Sequence, residues 1–258
     1  MKYLRENRPI WHAMVWVAVY VALVNVGDFL ASQLPAAIWA TGILLGCLSI
    51  TLLIYLKKTD LAGFYGMKRP LKGTMPLALY LAPLFGISLL QYAKGLNPEL
   101  DASAIVIAVL LVASVGFIEE LLFRGFLFQA LLRKGNLNRA IFITGVTFGI
   151  GHIVNLTRGY SASDQMIQIV SAVAIGIALA YCVALTGSII PGVVFHALFN
   201  LSGMLTTPDV VQDTYIVGAV IVVLIPYILF MRNRLARLQM QAAAPVKADV
   251  VAYADGTA

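Results

Sequence analysis

The chain has 258 residues, 60% of them hydrophobic and only 12% charged, with a mean hydropathy of +0.89. Soluble domains carry roughly 25% charged residues, so a soluble enzyme or binding module is excluded. A net charge of +6 raises nucleic acid as a partner, but the placement of that charge along the chain excludes it too.

A helix that crosses a membrane needs about 20 mostly apolar residues. In chain order the segments that qualify are 11–30, 36–56, 75–93, 102–132, 139–156, 164–186, 188–205 and 214–231. The fold class expected is therefore all-α, a polytopic membrane bundle of about eight transmembrane helices. The first segment, Trp11–Leu30, is about twice the length of a signal-peptide core and lacks a small-x-small cleavage site after it, so it reads as a retained span. The breaks fall at Pro35, at the basic stretch Lys57–Lys72, at Asn97-Pro98, at Lys134-Gly135-Asn136, at Arg158-Gly159, at Thr186-Gly187 and at Pro208. Cys47 and Cys182 both lie in apolar runs and read as buried small hydrophobes, with neither disulfide nor zinc-knuckle spacing. His12, beside Trp11 at the membrane entry, reads as an interface anchor.

Lys and Arg in the connections set orientation. The N-terminus (Lys2, Arg5, Arg8), the second loop (Lys57, Lys58, Lys68, Arg69, Lys72), the fourth loop (Arg133, Lys134, Arg139) and the tail (Arg232, Arg234, Arg237, Lys247) hold 15 of the 18. The opposite connections hold Lys94 and Arg158 alone. This bias predicts a multi-pass protein with both termini cytoplasmic, in the plasma (inner) membrane if the host is bacterial. It also makes the positive charge a topology signal, with membrane lipid rather than nucleic acid as its partner.

Ionisable groups inside spans are costly, about 2.5–3.5 kcal/mol each at a helix centre, and so point to function. The fourth span carries Glu119 and Glu120 with Arg124 after them. Glu120 and Arg124 are i,i+4, the favourable order for an ion pair on one helix face, while Glu119 sits about 100° round and need not share that partner. Two carboxylates in two environments suit acid–base chemistry. The fifth span carries Phe148 and His152 one turn apart, with Gly145 and Gly149 as a small-xxx-small contact. The seventh carries His196 and Asn200, again i,i+4. Ala172, Gly176 and Ala180 in the sixth read as packing. At 1.5 Å per residue, Glu119 and His152 lie roughly 20 Å into their spans and His196 and Asn200 about 12 and 18 Å, which predicts one intramembrane polar cluster.

In these residues the sequence resembles the CPBP family of intramembrane proteases, which includes the Ras-converting CAAX protease and the bacterial bacteriocin-processing and self-immunity (Abi-type) proteins. The motifs stand in the family's order as Glu119-Glu120-x-x-x-Arg124, Phe148-x-x-x-His152 and His196-x-x-x-Asn200. The resemblance covers roughly residues 105–205 and implies a catalytic core of four spans over 102–205; hydropathy and composition divide the rest into three N-terminal spans and loops over 1–101, a last span over 206–240 and a disordered tail over 241–258. It implies an endopeptidase that cleaves lipidated or membrane-associated peptide and protein substrates, by CAAX-type or leader processing. Glu119 would activate water, assisted by His152; His196 and Asn200 would orient or stabilise the oxyanion; Glu120, Arg124 and Phe148 would support them. If a metal takes part, zinc on Glu119, His152 and His196 is the implied set. The absence of an H-E-x-x-H pair, and Asn200 standing on the His196 face as an amide donor, favour a metal-free site. A non-catalytic scaffold or bacteriocin self-immunity protein is the alternative, and a proton-coupled transporter a further one. The motifs specify neither the substrate nor the oligomeric state.

Overall fold

A computed structural model describes residues 1–34, 39–70, 77–158 and 161–243. Among these residues every regular element is a helix. The helices are α1 (Lys2–Asn7), α2 (Pro9–Gln33), α3 (Ala40–Thr59), α4 (Leu77–Leu90), α5 (Ala102–Glu120), α6 (Phe128–Leu132), α7 (Leu137–Gly151), α8 (Ala162–Thr186), α9 (Ile190–Leu205) and α10 (Val210–Ala243). A π-helical stretch, Leu121–Leu127, joins α5 to α6 without a break, and 3-10 turns follow α4 (Gln91–Lys94) and α7 (His152–Arg158). The breaks expected at Pro35 and Gly159, the Lys72 end of the second loop and the tail from 244 onward lie outside the described residues.

The helix boundaries have local causes. Pro9 opens α2, where its missing N–H is harmless. Asp101 caps α5 by accepting the Ala104 N–H at 2.7 Å, and Asn136 caps α7 by accepting the Arg139 N–H at 2.8 Å. Gly187 turns the chain between α8 and α9 with φ +67°, a conformation that favours glycine.

Among the described residues, six helices are long and apolar enough to cross a membrane: Pro9–Gln33, Ala40–Thr59, Ala102–Leu132, Leu137–Asn155, Gln165–Thr186 and Val211–Gln241. The protein is an integral, multi-pass, all-α membrane protein. The third and seventh expected spans are helices as well: α4 is described from Leu77 onward, and α9 has 16 residues, about 24 Å against a core of about 30 Å. The 3-10 turn closes α4, and the bridge between Leu96 and Thr206 closes α9. Two smaller expectations are corrected. Cys47 is exposed on α3 while Cys182 is buried. His12 is buried rather than interfacial: its ring packs on Phe126 and its Nε2 accepts the Trp16 indole N–H at 3.2 Å, because it lies about 100° round α2 from the exposed Trp11.

At the centre stands α8, with Ala178, Leu179 and Ala180 all fully buried. It packs on α7 and α10, while α5 packs on α9 and α3, and α2 on α3. The α7–α8 approach depends on missing side chains. A Cβ on Gly149 would stand 2.7 Å from the Val173 backbone nitrogen, one on Gly145 2.8 Å from that of Ile177, and one on Gly176 2.8 Å from the Gly145 carbonyl oxygen. Without lipid-excluded water to drive association, such close backbone contact is what holds membrane helices together. Gly149→Val should therefore lower stability by about 1–3 kcal/mol through overpacking. Gly46→Ala, where nothing lies within 4 Å, should leave it unchanged. Thermal unfolding in detergent, followed by tryptophan fluorescence, measures both.

Candidate active site

The π-helical stretch begins directly after Glu120, so the fourth-span motif sits where the backbone changes its hydrogen-bond register. Such insertions occur frequently at functional sites. Arg124, inside the stretch, is fully buried. Its Nη1 donates to Glu120 Oε1 at 2.8 Å, its Nη2 donates to the Gly176 carbonyl at 3.2 Å, and its guanidinium lies 4.2 Å from the Phe148 ring centroid. Carboxylate, carbonyl and aromatic face together surround a charge that has no water.

The two adjacent carboxylates differ in access. Glu120 has no exposure and Glu119 keeps 8%. Glu119 Oε1 accepts the Tyr20 hydroxyl at 2.7 Å, and its Oε2 stands 3.3 Å from His196 Nε2. The other nitrogen of His196 stands 3.4 Å from Glu120 Oε1. These two imidazole contacts are within ion-pair range but are not aligned as hydrogen bonds: Glu119 Oε2, Glu120 Oε2, His196 Nδ1 and Arg124 Nε are buried with no hydrogen-bond partner. A purely structural ion cluster would be expected to satisfy such atoms. Glu119 itself lines the cavity, and its Oε2, although buried, is left without a hydrogen-bond partner.

His152 stands at the end of α7 with Nδ1 3.1 Å from the Phe148 carbonyl oxygen. A carbonyl only accepts, so Nδ1 carries the proton and the neutral ring keeps its lone pair on Nε2. Phe148 makes edge contacts with both imidazoles, its centroid 5.1 Å from that of His152 and 5.7 Å from that of His196. Glu119, His152, Asn200 and Tyr20 all line one cavity of about 500 Å³, large enough for a peptide segment. No hydrogen bond holds the half-buried Asn200 amide among the described residues.

The structure thus brings Glu119, Glu120, Arg124, Phe148 and His196 into one contact network and sets His152 and Asn200 around the same cavity. Glycines permit this. A Cβ on Gly116 would lie 3.1 Å from the Ala197 backbone nitrogen, so α5 and α9 meet closely enough for the carboxylates to reach His196. A Cβ on Gly192 would lie 2.7 Å from Glu120 Oε2. Tyr20 and Gly192 were not legible as site residues: a lone tyrosine in an apolar span carries no motif, and its partner is 99 positions away.

Among the described residues, no group of three His, Cys, Asp or Glu side chains is placed to hold a metal ion. Glu119 and His196 are neighbours, and His152, held through Nδ1 by the Phe148 carbonyl, keeps Nε2 as a possible donor but does not converge on that pair. The set of Glu119, His152 and His196 therefore does not form a metal cage in this arrangement.

The fold and site define a polytopic helical membrane protein with a charged, cavity-lining centre inside the bundle. Residues 101–202 match the family model described as Rce1-like, type II CAAX prenyl endopeptidase, and this stretch carries every residue of the three motifs. No curated protein and no solved structure matches the chain.

The difference between the two carboxylates can be measured. Arg124→Met leaves Glu120 buried without its counter-charge and should lower stability by about 3–5 kcal/mol; Glu119→Gln should leave the unfolding temperature nearly unchanged. Tyr20→Phe removes one hydrogen bond to a charged group, a loss of about 1.5–3 kcal/mol. It should slow peptide cleavage by roughly 10- to 100-fold with the protein still folded, read by turnover beside the unfolding curve.

Proposed function

We propose that this protein is a glutamate-dependent intramembrane endopeptidase of the CAAX type, acting on lipidated or membrane-associated polypeptides. The observation that supports it most is Glu119: a carboxylate fixed on one oxygen by Tyr20, open on the other, at the wall of a peptide-sized cavity that also holds His152 and Asn200. The family match supports the reaction class. It leaves open which segment is cut.

In the proposed reaction a water in the cavity that Glu119 lines gives its proton to that carboxylate as the water oxygen attacks the scissile carbonyl carbon. The carbonyl oxygen becomes the oxyanion of a tetrahedral intermediate, and the unengaged Asn200 amide is the donor suited to it. As the intermediate collapses the C–N bond breaks, the proton held by Glu119 passes to the leaving amine, and the carboxylate is restored. His152, with its lone pair on Nε2, assists the proton transfers. Both nitrogens of His196 face carboxylates, which favours a role in fixing Glu119 over one in the oxyanion site. Two carboxylates against one guanidinium leave a single negative charge, and a proton on His196 would cancel it in a medium where net charge is costly. The chemistry needs no metal step. Both termini are assigned to the cytoplasm on the distribution of Lys and Arg.

Cleavage of lipidated and hydrophobic fluorogenic peptides by the purified protein tests this reading. Wild type should cleave, and Glu119→Gln should lose cleavage, with a chelator having no effect on wild type. Loss with chelator and recovery with zinc would replace the metal-free mechanism. Equal activity in wild type and Glu119→Gln would overturn the glutamate mechanism, and no cleavage in either would favour the scaffold.

A further inference from the structure

We propose that the cleavage site is reached from the side of the membrane opposite the chain's basic segments, so that its substrates are stretches of polypeptide presented on the non-cytoplasmic face. The proposal rests on the peptidase reading for what is cut, and on geometry alone for where it is cut.

The cavity is polarised along the bundle axis. Thr41 and Leu45 line it from the start of α3, whose other end carries Lys57 and Lys58. On α7, which begins beside Arg133 and Lys134, the lining is Phe148, Gly151 and the turn from His152 to Asn155 at the far end. Gln168 lines it near the start of α8, and Gly203 and Met204 near the end of α9. Asn25 and Asp28 line it in the second half of α2. Five helices running in alternating directions therefore contribute from the same side, the one remote from the basic segments. Exposure agrees: Gly151 and Met204, both in the lining, are exposed.

The opposite direction is closed. On the basic side of Glu119, the fully buried Glu120 and Arg124 are followed by Phe126, 2% exposed. The Phe126 ring lies 4.9 Å from that of His12 and 4.6 Å from that of Tyr65, and Tyr65 in turn packs edge-on against Phe64 at 4.9 Å. Arg133 covers Phe64. A peptide entering from the basic side would have to displace this aromatic layer and then the ion pair. One entering from the other side meets no such layer, only the polar lining residues Asn25, Asp28, Thr41, Asn155 and Gln168.

The full-length protein in cells provides the test. In a background of Cys47→Ser and Cys182→Ala, single cysteines are placed in the cavity mouth by Asn155→Cys and Met204→Cys, and on the basic side by Lys58→Cys. A membrane-impermeant maleimide is applied to intact cells and to inverted vesicles. The mouth cysteines should label in intact cells and lose labelling in inverted vesicles, with Lys58→Cys showing the reverse. Mouth cysteines that label from the same side as Lys58→Cys would overturn the proposal. Labelling needs no turnover, so an inactive protein gives the same answer. Cleavage by wild type but not by Glu119→Gln reports on the peptidase reading separately. If that cleavage falls on a tail displayed only in the cytoplasm, the peptidase stands and this proposal fails.

Discussion

A guanidinium without solvent access has to be neutralised where it stands, and the Glu120–Arg124 pair does this at 2.8 Å inside a membrane bundle. Burial of either charge alone would be prohibitive, so each holds the other in place. The remaining donors of Arg124 extend that constraint outward. One reaches the Gly176 carbonyl on α8, and the guanidinium face rests on Phe148 of α7. One ion pair thus ties the fourth-span motif to two other helices. Phe148 passes the constraint on, since both imidazoles of the site pack against its ring.

Such ties need helices that approach closely, and the positions of the small residues decide where they do. Gly145, Gly149 and Gly176 bring α7 against α8, and Gly116 brings α5 against α9. Gly192 leaves room for the Glu120 carboxylate itself. A larger residue at any of these points would separate the polar groups, not merely strain a contact, because a hydrogen bond weakens steeply over a few tenths of an ångström while dispersion contacts can be remade.

Much of this could be read from residue order because membranes impose strong rules. Apolar length located the helices, and i,i+4 spacing paired Glu120 with Arg124 before any coordinates. The small-xxx-small pattern marked the α7–α8 contact. What escaped has a common cause: it depends on distance between residues far apart in the chain. Tyr20 binds Glu119 across 99 positions. The Leu96–Thr206 bridge at the end of α9 joins two distant stretches of the chain. The π-helical stretch has no signal in hydropathy, and His12 was misplaced because a residue's depth along a helix says nothing of which face it occupies.

The neighbouring carboxylates explain why the cluster is suited to chemistry as well as to cohesion. Successive residues on a helix point about 100° apart, so a single adjacent pair can face two surroundings without any further backbone device. Glu120 faces the bundle interior, where Arg124 and the space left by Gly192 fix it. Glu119 faces the cavity, where Tyr20 fixes one oxygen and the other stays open. His196 lies between them, within 3.3 and 3.4 Å of one oxygen on each. A change of charge at Glu119 is therefore felt first by His196, which stands almost equally near the ion-paired Glu120. An exchange of the two roles would place the open carboxylate where no water can reach and the ion pair where water could dissolve it. The order of surroundings along the helix, more than the presence of two glutamates, is what gives Glu119 its proposed place in the reaction.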